Sequence, residues 1–192
     1  MDPLLLDVPE SIESERLVLR APRVGDGATV NEAVVESIDA LRPWMPWAKT
    51  TPTVDDSERN AREAIAKWRL RSDLPLFLWR KSDGVFVGGS GLHRIDWSVP
   101  RFEIGYWCRT SLERQGLVTE AVRSVARMAF DVLHARRVEI RCDARNVRSA
   151  RVAERAGFVF EARLRNEALA IDGQVRDTLV FALVDEERAK LG

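Results

Sequence analysis

Residues 109–120, RTSLERQGLVTE, join an alternating stretch to a strongly amphipathic one, and Gly116 sits just ahead of the second. The first amides of a helix starting there have no intrahelical acceptor, and its dipole is positive at that end. Such an end binds phosphate, and a glycine lets the anion approach the backbone closely. The competing reading is a solvated loop before an ordinary helix start, so the segment alone points to an anion without identifying it. Other phosphate motifs fail. No Gly-Lys-Ser/Thr occurs, so there is no P-loop. Gly88-Gly89-Ser90-Gly91 looks like a nucleotide fingerprint, but alternation continues through it and no helix follows. It reads as a strand of small residues where a ligand or another backbone comes close. The two histidines and two cysteines lack ligand spacing, and no metal is expected.

The elements that hold this loop are legible from hydrophobic period. Residues 16–20 alternate as a short strand, and a helical pattern runs from about Gly25 to Leu41. Pro43 and Pro46 then leave Trp44 and Trp47 on a loop. Thr53 precedes a helix over 55–70, acidic in its first turn and basic in its last, as the helix dipole prefers. Strands follow over 76–80 and 85–95, joined through Ser82-Asp83-Gly84, and a third over 101–108. A helix is predicted over 118–134, a strand over 137–142, and a helix over 147–155 ended by Gly157. Two last strands, 158–171 and 174–184, flank Asp172-Gly173. This order predicts an α/β (α+β) fold with a mixed, mostly antiparallel sheet of about seven strands, not a doubly wound parallel one.

Length and composition bound the function. With 192 residues and neither repeat nor linker, residues 1–192 read as one domain. Thirty basic residues balance thirty acidic ones, so no global field recruits nucleic acid or an anionic membrane. The N-terminal MDPLLLDVPE is no signal peptide, and the apolar run 179–184 is too short to cross a bilayer. Cys108 and Cys142, both in strand patterns, are expected to stay reduced, which indicates a cytoplasmic address.

The run Glu103-Ile104-Gly105-Tyr106-Trp107, followed by Arg114-Gln115-Gly116-Leu117-Val118-Thr119-Glu120-Ala121, resembles the acetyl-CoA signature of the GNAT acetyltransferases. The RimJ/RimL type, the ribosomal-protein N-acetyltransferases, is the branch it looks most like. Asn146, Ser149, Ala153 and Gly157-Phe158 match that family's next block, and residues 91–96 and the Trp44/Trp47 loop also look like this branch. Two positions depart from the pattern: Ser111 stands where a Gln or Arg is usual, and Arg114 where a glycine is.

The resemblance implies helices on both sheet faces and a central splay, with a bulge at the end of strand 102–108 parting it from strand 138–142. Pantetheine would lie beside that strand end, at Trp107, Cys108 and Arg109. Diphosphate would sit on the amides of Gln115, Gly116, Leu117, Val118 and Thr119, with Arg114 offering an amide and a cation. Asn146 would bind pantetheine. Many relatives use a tyrosine seven residues after that asparagine as the acid for the leaving thiolate; here that position is Ala153. Ser149 is therefore the candidate donor or hydrogen-bonder to sulfur; a serine bonding only to backbone is the competing reading. Glu103, alternating onto the face opposite Phe102 and Ile104, is the first candidate base, acting through water. Glu167 is the second, and His93 a further base or substrate contact. A free amide around Trp107 or Cys108 could stabilise an oxyanion. Trp44 and Trp47 would wall the acceptor channel.

The function so implied is transfer of an acetyl group from acetyl-CoA to a primary amine, with a protein N-terminus as favoured acceptor. Small amines (an antibiotic, a polyamine, an amino acid) are the alternative within enzymes. A non-catalytic acyl-CoA-binding module is the alternative outside them. Relatives often pair, so a homodimer is expected from the resemblance.

Overall fold

Alternation of period two buries its apolar half only in a sheet, and the long alternating stretches of this chain all join one. In the computed structural model, which describes residues 2–191, eight strands form a single mixed sheet. They are β1 (Ser11–Glu13), β2 (Leu17–Arg20), β3 (Leu74–Arg80), β4 (Phe86–Asp96), β5 (Arg101–Cys108), β6 (Arg137–Asp143), β7 (Val159–Leu169) and β8 (Val175–Val184). The α-helices are α1 (Gly27–Leu41), α2 (Val54–Arg69), α3 (Leu117–Asp131) and α4 (Val147–Ala156). The spatial order is β1-β2-β3-β4-β5-β6-β8-β7, and among the described residues only β5 and β6 pair in parallel. The strand beyond the expected seven is β1, whose three residues are too few to show a period.

Local chemistry sets the helix ends. A capping box starts α2: Thr53 Oγ1 accepts from the Asp56 amide at 3.1 Å, and Asp56 Oδ2 accepts from the Thr53 amide at 3.0 Å. Asn146 caps α4 by accepting the Ser149 amide at 3.0 Å. Gly116 begins α3 at φ 77°, and among the described residues no side chain caps the helix's first amides.

Helices cover both faces. Phe102, Ile104, Val138 and Ile140 are buried on the face where α3 contributes Ala121, Val122 and Val125, and α4 Ala153 and Ala156. On the opposite face, Val34, Ile38 and Leu41 of α1 pack with Trp107 of β5. The small residues of β4 and β5 make room there for rings. A Cβ at Gly89 would lie 2.7 Å from Trp107 Nε1, and one at Gly105 would lie 3.0 Å from the His93 ring.

The sheet forks at its centre. β5 and β6 pair only from Arg101↔Arg137 to Glu103↔Glu139. Beyond that point β5 stays on β4 as far as Cys108, while β6 stays on β8 as far as Asp143. The expected bulge at the end of β5 is not the cause, because β5 keeps one register with β4 from Glu103 to Cys108. The extra residue lies in β4 between His93 and Asp96, where Arg94 has φ 47°. The two strands part because each is bound to a different neighbour.

Candidate active site

A cleft of about 400 Å³ fills the fork, lined by residues of both sheet faces. From the α3/α4 side come Tyr106 of β5, Cys142 of β6, and Asn146 and Ser149 at the start of α4. Tyr106 Oη lies 2.9 Å from Ser149 Oγ and donates to the Ser149 carbonyl at 2.9 Å. Burial raises the Tyr106 pKa above the usual phenol value, so this group stays protonated. Burial also raises the Cys142 thiol, offset in part by a hydrogen bond with the Ser149 side chain.

From the other face come Glu103 and Gly105 of β5, Arg141 and Asp143 of β6, and Arg176 of β8. Trp44, Met45 and Lys49, from the connection between α1 and α2, form one wall, and residues 169–171 form another. The Glu103 side chain is 16% exposed, and its Oε2 is buried without a hydrogen-bond partner among the described residues. Arg94 Nε stands 3.5 Å from that oxygen and Arg141 Nε 4.0 Å. Burial outweighs these cations and raises the Glu103 pKa, with Glu139 adding to the rise. A carboxylate so placed is a stronger base than an exposed one. Arg141 is held off by Glu167, which takes Arg141 Nη2 on one oxygen and the Thr178 hydroxyl at 2.7 Å on the other. The Thr178 hydrogen bond, then Arg141 and other cations, lower the Glu167 pKa.

Backbone polarity adds a third component. The Arg109 amide donates to the Val87 carbonyl at 2.7 Å, and the β4–β5 register is unbroken from there to Glu103. Antiparallel pairing then turns the amides of odd-numbered residues toward β4 and those of Tyr106 and Cys108 toward the fork. Of the two amides named as oxyanion donors, that of Cys108 turns toward the fork, although the residue lies outside the cleft lining, and that of Trp107 turns toward β4.

At the start of α3, Gly116 and Thr119 border a second hollow of about 440 Å³ with Arg16, Arg123 and Arg155. Arg16 Nη1 donates to the Gln115 carbonyl at 2.9 Å, and Glu120 takes the Arg16 amide at 2.8 Å, which fixes the turn around Gly116. Arg114 makes that turn at φ 62°. The side chain of Arg109, a residue expected at the CoA site, bonds Glu32 at 2.8 Å and also Glu36, both of α1. Glu36 also accepts the Ser111 amide at 2.9 Å, so these side chains brace the loop from behind.

The fork thus brings together Glu103, Asn146, Ser149 and Trp44, while Glu167 stands behind Arg141. Trp47 packs edge-on against Trp107 with ring centroids 5.9 Å apart, and its indole is no part of the cleft lining. His93 is held by Asp73 at 2.8 Å and also lies outside the lining. Sequence reasoning missed Tyr106, Arg141, Arg176 and Lys49. Alternation already places Tyr106 on the face of Phe102 and Ile104, but nothing local shows that this face meets the first turn of α4. Among the described residues no three His, Cys, Asp or Glu side chains gather to hold a metal ion, and no helix is long and apolar enough to cross a membrane.

Three comparisons bear on this arrangement. A family model described as an acetyltransferase (GNAT) domain matches residues 16–159. YdaF of Bacillus subtilis (strain 168), which bears a provisional name as a ribosomal N-acetyltransferase, is 29% identical over 176 residues, covering 91% of this chain and 94% of its own. Among solved structures, the microcin self-immunity acetyltransferase MccE in complex with acetyl-CoA and AMP matches with TM-score 0.85 at 21% identity, over 92% of this chain and 97% of that one. RimL, a ribosomal alpha-N-protein acetyltransferase in complex with coenzyme A, gives TM-score 0.83 at 19% identity, over 93% of this chain and 98% of that one. At these identities the two structures establish the shared fold.

Proposed function

Because the chain belongs to the GNAT acetyltransferase family, and so moves an acetyl group from acetyl-CoA to a primary amine, we propose that its acceptor is the α-amino group of a protein N-terminus, attacking directly in a ternary complex. The observation that carries this reading is the fork, where one cleft joins the first turn of α4 to a buried carboxylate on the other sheet face.

The division of labour follows from that geometry. The start of α3 would take the CoA diphosphate on its unbonded amides, with Arg114 as a nearby cation. Asn146 uses Oδ1 to cap α4, leaving its amide nitrogen for the pantetheine arm. The acceptor would enter past Trp44, Met45 and Lys49. An α-amino group has a pKa near ~8, so part of it is already neutral at physiological pH. The acceptor would enter as its neutral amine, Glu103 would take one proton from the nitrogen through water as it attacks the thioester carbon, and the Cys108 amide would hold the resulting oxyanion. When the C–S bond breaks, its electron pair leaves on sulfur, where Ser149 stands as donor. Glu167 would act through Arg141 rather than as the base itself.

The 192 residues act in this reading as one domain. The two free cysteines are consistent with a cytoplasmic setting, and the edge strand β7 leaves room for a homodimer. A cleft of about 400 Å³ also suits a small-molecule amine, which is the second reading. The test is mass spectrometry of cell extract incubated with the enzyme and isotopically labelled acetyl-CoA. Label on protein N-terminal residues is expected. Label confined to small amines or lysine side chains would overturn the proposed acceptor.

A further inference from the structure

The tyrosine that many relatives place on the helix is absent here, since Ala153 is buried in the core at that position. Another tyrosine reaches the same turn of α4 from the sheet. Tyr106 is the only tyrosine in the chain, it lines the cleft, and its Oη touches both the carbonyl and the hydroxyl of Ser149 at 2.9 Å. We propose that Tyr106 is a positioning residue that turns the Ser149 hydroxyl into a donor toward the departing sulfur. This rests on the reading of Ser149 given above.

Proton counting carries the argument. A carbonyl only accepts, so at rest the single phenol proton lies on the Ser149 carbonyl. The two hydroxyl oxygens, 2.9 Å apart, need one proton between them; at rest Ser149 supplies it, so in its bond with the Cys142 thiol the serine oxygen accepts and its proton is not engaged there. A thiolate forming in the cleft is a stronger acceptor than a phenol, and the serine proton turns to it. The phenol proton then swings from the carbonyl to Ser149 Oγ, restoring a bond between the two oxygens. One O–H rotates and no heavy atom moves. A hydroxyl that receives a hydrogen bond while giving one is the stronger donor. Tyr106 loses no proton in the step; the C–S bond breaks and its electron pair stays on sulfur.

Tyr106→Phe keeps the ring and removes the rotor. With acetyl-CoA, kcat is expected to fall about tenfold, the worth of one hydrogen bond between neutral groups, with KM for acetyl-CoA changed less than about twofold. With the acetyl selenoester of CoA, whose leaving selenolate is a weaker base, the defect should shrink to under about twofold. Tyr106→Phe combined with Ser149→Ala should be no slower than Ser149→Ala alone. An unchanged rate in Tyr106→Phe, or a loss of equal size with both donors, overturns the proposal. If Ser149→Ala itself turns over at the parent rate, the underlying reading of Ser149 fails first; if it is slow and Tyr106→Phe is not, only this inference fails. Should the phenylalanine variant fold poorly, growth on 3-fluorotyrosine labels this one hydroxyl and makes it a stronger donor. The labelled enzyme is expected to turn over at least as fast as the parent. A labelled enzyme as slow as Ser149→Ala would show that ring packing, not donation, matters.

Discussion

At the scale of single residues, the site depends on a carboxylate that the fold keeps from its neutralising partners. Glu103 is buried, its Oε2 is unbonded, and burial raises its pKa against the pull of Arg94 and Arg141. A base with a raised pKa loses activity as pH falls through a value above the ordinary carboxylate range. Glu103→Gln should therefore lower kcat about a hundredfold and remove Glu103's own acid limb from the pH–rate profile, leaving that of the acceptor amine. The same shift has a consequence for stability. A carboxylate whose folded pKa lies above its unfolded one favours the folded state below the unfolded pKa, and that advantage is lost as pH rises through the folded pKa. Glu103→Gln should accordingly melt above the parent at neutral pH, with the gain vanishing in acid, as thermal scans across pH would record. Glu167 offers a contrasting case, because its pKa is lowered and it holds Arg141. Glu167→Gln frees Arg141 to approach Glu103, so the acid limb should move to lower pH while persisting. Loss of that limb would make Glu167 the base.

Elements carry the end of the site proposed for phosphate, and their backbones matter more there than their side chains. Gly116 holds φ 77° where α3 begins, and a Cβ there would meet only Arg16 Nη2 at 3.5 Å. The cost of Gly116→Ala is thus conformational, about 1 kcal/mol of stability, without a clash. Calorimetry should find weaker acetyl-CoA binding in that variant, with a smaller change in kcat. The loop ahead of it is braced by Glu36 of α1, which takes the Arg109 side chain and the Ser111 amide. Glu36→Gln should raise KM for acetyl-CoA severalfold at low salt, by about the worth of one charge-assisted bond. An equal loss of kcat at saturating acetyl-CoA would place Glu36 nearer the chemistry than this brace allows. The basic residue of this loop was legible in the sequence, yet its partner lies 73 positions away in another helix.

The whole molecule is a sheet that divides at its centre, and a ligand seated in the division would tie its halves together. Acetyl-CoA at about a hundred times its Kd should stabilise the fold by about 2.7 kcal/mol and raise Tm by about 5–10 °C in a chain of this length. Coenzyme A lacking its adenosine diphosphate portion should give much less, since it cannot reach the start of α3. Differential scanning calorimetry with acetyl-CoA and with acetyl-pantetheine makes the comparison directly.

Local pattern alone determined most of the frame of this protein. Period-two runs marked the strands longer than three residues, Thr53 marked a helix start, and Gly116 marked the start of another whose first amides suit an anion. Each signal is carried by residues within a few positions of one another, where steric and hydrogen-bonding rules act without knowledge of the rest of the chain. The meeting of Tyr106 with Ser149, the diversion of Arg141 by Glu167 and the tie of Arg109 to α1 were decided only by tertiary structure. Those contacts span 26 to 77 residues, and they arise because β5 and β6 bind different neighbours and open a gap between them. Which side chains face that gap depends on the register of strands distant in sequence, and no local rule encodes it.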